Sequence, residues 1–204
     1  MAAFDKLSPD ELVIIFSILR DWDYSEFAEC SRSEVDGRNW DWVIVMYVCR
    51  RWHTTTLNCP SLWTHLPVYV FRSRQRTKAY LERSNGAELM VSANIDRQPK
   101  DTVEESRAFV DTLKCLHRIR HLYLRFHVDY RRRNRELWGQ IQDNLSREAP
   151  RLRSLDLSIS TPMHQADAFY TSFPEKSPHL QSLNLAYMVI HPQSALLTVT
   201  NLVE

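Results

Sequence analysis

The feature that most constrains the fold is a short string that occurs three times. Ile119-x-x-Leu122-x-Leu124, Leu152-x-x-Leu155-x-Leu157 and Leu180-x-x-Leu183-x-Leu185 place an aliphatic residue at the same three positions. Their starts lie 33 residues apart (119 to 152) and then 28 (152 to 180). Leucines alternating at period two suit a strand that buries one face, and Leu89-x-Val91 reads as a degenerate earlier copy. Helical periodicity fills the gaps: residues 102–117 carry Phe109, Leu113 and Leu116 on one side, and residues 134–149 carry Leu137, Trp138, Ile141 and Leu145. A strand–helix unit of this size buries its apolar face only by stacking on a neighbour, which predicts a short curved parallel sheet with helices outside.

Residues that alternate with the buried leucines then share the opposite face. These are His121, Tyr123 and Arg125, then Ser154, Asp156 and Ser158, then Ser182, Asn184 and Ala186. They are the candidate binding residues of this face, and the substrate contacts if the chain is the receptor that the resemblance described below implies. The competing reading for each one singly is plain exposure to water, as any half-buried strand requires. The pattern predicts burial of Leu122, Leu124, Leu155, Leu157, Leu183 and Leu185, with Tyr123, Asp156 and Asn184 side by side on one surface.

The N-terminal third follows another rule. Ser8-Pro9-Asp10-Glu11 starts a helix with an N-cap serine, a proline at the first helical position and a glutamate three residues on. Leu12, Ile15, Phe16 and Leu19 make one apolar stripe, and Val13, Ile14 and Ile18 widen it until the helix is apolar almost all round. Two apolar faces on one short helix need two covers, so the second belongs either to a partner protein or to the rest of the chain. Residues 21–39 are polar, charged and aperiodic, and read as an irregular insertion. From Trp40 a helical stripe resumes through Trp42, Val45, Val48, Cys49 and Trp52, against the β-branched run Val43-Ile44-Val45. Pro60-Ser61-Leu62-Trp63 opens a third, short helix ending near Leu66.

LSPDELVIIFSIL at 7–19, VCRRW at 48–52 and NCPSLWTHL at 58–66, in that order, resemble the F-box motif in its fungal form. YLERSNGAEL at 80–89 is similar to the segment that joins the F-box to leucine-rich repeats in such proteins. The resemblance implies a three-helix F-box over 1–66, a linker helix within 67–88 and a leucine-rich-repeat-like solenoid over 89–204. It also implies docking on a Skp-type adaptor and, through it, a cullin. Carried over by position, Leu7, Pro9, Leu12, Ile15, Phe16, Val48, Cys49, Trp52 and Trp63 serve that interface or its backing core. The chain departs from the family at Ser8, where proline is commoner, and in the longer stretch between the first two helices.

Composition excludes several alternatives. Three widely spaced glycines, Gly37, Gly86 and Gly139, leave no phosphate-cradling turn. The four cysteines form no C-x-x-C pair, so neither a zinc framework nor a disulfide scaffold is expected. Lysine plus arginine (26) balances aspartate plus glutamate (25), which argues against a global pull toward nucleic acid. The arginine run Arg131-Arg132-Arg133 with Arg135 reads chiefly as a solvated loop or helix start, and Arg72, Arg74, Arg76 and Lys78 form a second basic run. His117-x-x-x-His121 lacks a third ligand, and the helix should end before His121. The longest apolar run, residues 43–49, falls far short of the roughly 20 residues a membrane span needs.

The expectation is a non-catalytic substrate receptor of a cullin-RING ubiquitin ligase, cytoplasmic or nuclear, without cofactor or metal. The alternatives are a repeat scaffold without adaptor binding, or a nucleic-acid binder using the arginine run at 131–135. Ala195-Leu196-Leu197, Val199, Leu202 and Val203 look like the opening of a further repeat, so the array is expected to be incomplete.

Overall fold

A computed structural model of the chain describes residues 6–29, 42–95, 102–126, 135–159 and 177–186. Helix α1 spans Pro9–Glu29. Its start is the expected capping box: the Glu11 amide donates to Ser8 Oγ at 3.2 Å and the Ser8 amide to Glu11 Oε2 at 2.6 Å. That backbone hydrogen bond from Ser8, with its hydroxyl, holds the Glu11 carboxyl below its ordinary pKa. The irregular insertion expected at 21–39 begins instead as helix, since α1 continues to Glu29. The segment DWDYSEFAE has neither glycine nor proline to stop it. Residues 30–41 lie outside the described residues.

The single helix expected through Trp42 and Trp52 is two. A 3₁₀ helix covers Trp42–Tyr47, and α2 covers Arg50–Leu57. Cys49 between them is extended, at φ −160° and ψ 167°. The β-branched run disfavours a continued α-helix, so the stripe that buries Trp42 and Val45 stops before Val48 and Cys49, which are exposed. The third helix is a 3₁₀ turn, Pro60–Trp63, and His65–Leu66 form strand β1 rather than its last turn.

A 3₁₀ helix Val68–Arg72 leads into α3, Arg74–Arg83. Then come β2 (Leu89–Ile95), α4 (Thr102–Leu113), a 3₁₀ turn Leu116–Arg118, β3 (Ile119–Phe126), α5 (Arg135–Leu145), β4 (Ser154–Ile159) and β5 (Ser182–Ala186). Helices α4 and α5 each end about four residues earlier than their periodicity suggests. The five strands form one sheet in the order β1-β2-β3-β4-β5, with every neighbouring pair parallel. The architecture is therefore mixed α and β.

Register explains the core. Leu66 pairs with Val91, Val91 with Leu122, Leu122 with Leu155 and Leu155 with Leu183; one level on, Ala93, Leu124, Leu157 and Leu185 align. Leu122, Leu124, Leu155 and Leu157 are buried as expected. Leu183 is only partly buried. The Leu185 side chain lies outside the described residues.

One continuous apolar cluster runs from Leu12 and Phe16 to Leu180, so α3 belongs to the core as well as joining two regions. Trp63 is its hub. Its ring meets Trp42 at 5.2 Å and Tyr80 at 5.0 Å, both edge-on, and its Nε1 donates to Thr56 O at 2.9 Å. Arg83 stacks its guanidinium 4.4 Å above the ring. Edge-on aromatic pairs add about 0.5–1.5 kcal/mol each beyond their area. After α3 the chain turns through Asn85 (φ 43°) and Gly86 (φ 79°), a pair of left-handed residues that glycine makes cheap. Arg118 ties this turn to the start of β3, donating to Ala87 O at 3.1 and 2.9 Å and to Ser84 Oγ at 2.8 Å.

Candidate interaction surfaces

Two surfaces stand out, and α1 carries the first. At 3.6 residues per turn, Leu12, Phe16 and Arg20 fall within about 80° of one another, whereas Ile14, Ile18 and Trp22 centre about 200° away. Leu12, Phe16 and Arg20 are buried. The opposite side presents Ile14 (60% exposed), Ile18 (58%) and Trp22 (64%), flanked by Leu19 (42%). The Trp42–Tyr47 helix, which packs against α1, repeats the division at 3₁₀ spacing: Trp42 and Val45 are buried, while Ile44 (54%) and Tyr47 (84%) face out, followed by Val48 (60%).

The sequence-derived adaptor residues therefore divide. Leu12, Phe16 and Trp63 are core, and Leu7, Ile15 and Trp52 are partly buried; Trp52 meets Phe16 edge-on at 5.1 Å. Pro9, Val48 and Cys49 are exposed. Ile14, Ile18, Leu19, Trp22, Ile44 and Tyr47 were missed as surface residues. The signal was present, since Ile14, Ile18 and Trp22 follow i, i+4, i+8, but the dominant stripe of the same helix masked it.

Arg20 is the polar member of the buried stripe. It donates to the Ser61 carbonyl and pairs with Asp21 Oδ1 at 2.7 Å. Asp21 lies 3.7 Å from His65 Nε2 on β1. Burial, aided by the Arg20 charge, lowers the His65 pKa to about 4, so its contact with Asp21 at neutral pH is dipolar rather than ionic.

The second surface is the sheet face opposite the leucine ladder. Strand pairing brings His121, Ser154 and Ser182 into one row, Ser92, Tyr123, Asp156 and Asn184 into the next, and Asn94, Arg125, Ser158 and Ala186 into a third. The expected alignment of Tyr123, Asp156 and Asn184 is thus met in full. Asn184 Nδ2 donates to Asp156 Oδ2 at 2.8 Å. Burial pushes the Asp156 pKa up, against the opposing hydrogen bond. His121 is pushed down by burial and then by the Arg120 and Arg153 charges. His121 sits on a strand, past the 3₁₀ turn that holds His117, so the two do not share a helix face.

A groove of about 510 Å³ between α3 and α4 is lined by Thr77, Leu81 and Ala108 and rimmed by Arg74, Lys78 and Asp111. Its rim is largely self-neutralised, with Asp111 paired to Arg74 at 2.8 Å and Lys114 at 2.7 Å. Among the described residues no helix is long and apolar enough to cross a membrane. Arg131, Arg132 and Arg133 lie outside the described residues, as do Ala195, Leu196, Leu197, Val199, Leu202 and Val203. The chain matches no family model, no curated protein and no solved structure.

Proposed function

We propose that the chain is a non-catalytic recognition subunit of a cullin-RING ubiquitin ligase. In this reading residues 1–66 are an F-box whose third helix is shortened to a 3₁₀ turn, and the sheet with its helices is a short leucine-rich-repeat-like solenoid. The exposed side of α1 and of the Trp42–Tyr47 helix docks a Skp-type adaptor, and the polar sheet face holds the substrate protein. The observation that carries the reading is the two-sided α1: Leu12 and Phe16 face the chain's own core while Ile14, Ile18 and Trp22 face outward. A row of large aliphatic and aromatic side chains on a helix is a usual mark of a protein partner.

The mechanism is proximity. A substrate held on the sheet face meets a ubiquitin-charged conjugating enzyme at high effective concentration, and no group of this chain takes part in bond making. Support for the repeat reading comes from the sequential, all-parallel strand order and from the three aligned L-x-x-L-x-L strings.

The deciding experiment is co-expression of the full chain with a Skp-type adaptor and the adaptor-binding region of a cullin, followed by size exclusion. A co-eluting complex at micromolar concentration is the expected outcome. Absence of adaptor association at that concentration overturns the ligase reading and leaves a free-standing interaction scaffold.

A further inference from the structure

In a sheet whose strands all run parallel, every strand starts at the same edge, so the segments leading from helix to strand collect there. Three of these segments contain a tight turn. The Arg118 amide donates to Cys115 O at 2.8 Å, the Leu152 amide to Ala149 O at 3.1 Å and the Leu180 amide to Ser177 O at 3.1 Å. Pro150 and Pro178, second in their turns, set the backbone angle such a turn requires. The third place of each turn holds His117, Arg151 or His179, all exposed. Arg120, Arg153 and Gln181 follow at the strand starts. They are neighbours across the edge, the Arg153 amide donating to Arg120 O and the Gln181 amide to Arg153 O, both at 2.8 Å.

This edge is basic. The connections 84–88, 114–120, 146–153 and 177–181 hold Lys114, Arg118, Arg120, Arg147, Arg151 and Arg153 against Glu88 and Glu148. Part of the charge serves the fold: Lys114 bonds Asp111, Arg118 holds the Ser84–Ala87 turn and Arg120 meets Glu88 at 3.3 Å. Lys114 and Arg147 also follow the ends of α4 and α5, where a cation is favourable in its own right. Among the described residues neither account covers Arg151 and Arg153, which stand exposed on either side of the buried Leu152, well past the end of α5. The field of the cluster reaches His121, whose pKa Arg120 and Arg153 lower after burial has done so. By alternation Arg120 and Arg153 lie on the leucine side of His121 and Ser154, so the edge is distinct from the polar face.

Adjacent strands stand about 4.8 Å apart and two residues span at most about 7 Å, so the backbones of Arg120, Arg151 and Arg153 fall within about 12 Å. A guanidinium takes a carboxylate or a phosphate through two parallel N–H bonds. Nucleic acid binds through long rows of phosphates or through bases stacked on aromatic rings. The cluster spans two strands, and its connections contain no Phe, Tyr or Trp. A run of aspartate and glutamate needs neither length nor stacking, and it offers a carboxylate at every residue.

We infer that the strand-start edge around Arg120, Arg151 and Arg153 is a docking site for an acidic segment of a protein partner. It is additional to the α1 stripe and the polar sheet face, and it stands whether or not the ligase reading does. Exposed charge pairs are individually weak and screened by salt, so the contact is salt-sensitive and serves to steer and select an acidic partner.

The test is fluorescence anisotropy of a labelled deca-glutamate peptide with the full chain, without adaptor, at about 50 mM salt. A Kd of about 100 µM or tighter is expected, with no binding of deca-glutamine and at least a fivefold loss at about 300 mM salt. Arg151→Glu with Arg153→Glu should weaken binding about tenfold or more at unchanged circular dichroism; Arg151→Gln with Arg153→Gln gives the same reading, with a smaller loss, if the reversal perturbs folding. Arg72→Glu with Lys78→Glu, an equal change of charge on the other basic run, should leave the affinity within about twofold of the parent. No binding of deca-glutamate, affinity indifferent to the Arg151 and Arg153 variants, equal losses from the two pairs of reversals, or tighter binding of an oligothymidine of equal charge overturns the inference. No adaptor is present, so the outcome bears on this edge alone.

Discussion

Replacing Ile14 and Ile18 together with alanine separates the two sides of α1. Each isoleucine has nearly 60% of its surface in solvent, and burying a whole isoleucine side chain is worth about 1.5–3 kcal/mol. A partner that covers them therefore gains about 1–1.5 kcal/mol from each, allowing for the alanine methyl that remains. The double variant should lose about 2–3 kcal/mol of adaptor binding, some thirty- to two-hundredfold in Kd. Its own folding stability should move by less than about 0.5 kcal/mol, as for exposed sites generally. Phe16→Ala, about half a turn from each, should behave oppositely. Phe16 is fully buried and edge-on to Trp52, so its truncation should cost about 3–5 kcal/mol of folding stability. Trp52→Ala, partly buried on the same seam, should lower both stability and binding. Isothermal titration with a Skp-type adaptor reads the first quantity and urea unfolding the second. If the Ile14/Ile18 double variant loses stability as Phe16→Ala does while its affinity is unchanged, the outer stripe is covered by the chain itself and the docking argument fails.

Three further outcomes follow from polar groups. Folded His65 holds its proton with a pKa near 4 against about 6.5 unfolded, so its contribution to stability is complete above pH 6.5 and is lost as pH falls toward 4; at pH 5 the loss should be about 2 kcal/mol relative to a His65→Gln control, measured by urea unfolding at both pH values. Arg20→Met should destabilise by about 1–3 kcal/mol, because it strips the Ser61 carbonyl of a buried donor, and a thermal melt unchanged from the parent would contradict that role. Arg118→Ala removes three hydrogen bonds to the Ser84–Ala87 turn and should raise amide exchange at Ala87 while leaving the amides of β4 at parental rates.

The parallel sheet was legible in the sequence because its signal is redundant. Each of the three L-x-x-L-x-L strings specifies the same buried face, and Leu89-x-Val91 joins the same ladder across a register shift, Leu89 pairing with Ile119 and Val91 with Leu122. The N-terminal third was less legible because its local preferences conflict. Trp42, Val45, Val48, Cys49 and Trp52 fit one helical stripe, but the β-branched residues among them tighten the backbone into a 3₁₀ helix and then break it at Cys49. His65 and Leu66 bear no strand signal of their own; only pairing with Met90 and Val91 makes them a strand, and pairing is a tertiary event. The end of α1 was misplaced for the opposite reason, since charged residues without glycine or proline are compatible with either loop or helix. For the surfaces, sequence alone named the polar sheet row correctly by alternation, whereas on α1 apolarity alone could not say which of two stripes faces inward.

The outer stripe of α1 follows a physical logic that composition conceals. A sequence selected only for stability would place Glu, Lys or Gln at Ile14, Ile18 and Ile44, which gain little where they are. At each of these positions the chain keeps a side chain that is locally unfavourable in the free protein, within a fold whose core is otherwise consistently packed from Leu12 to Leu180. Such local conflicts in an otherwise consistent structure are where function resides. The two surfaces differ in kind. The apolar stripe on α1 offers affinity through area and little discrimination, as the proposed adaptor role requires. The polar sheet face, with its hydrogen-bonding side chains, is suited to choice among ligands more than to affinity, as the proposed substrate role requires. The buried Arg20, bonded to Ser61 just before β1, fixes α1 against the first strand, so the two surfaces are carried on one packed body.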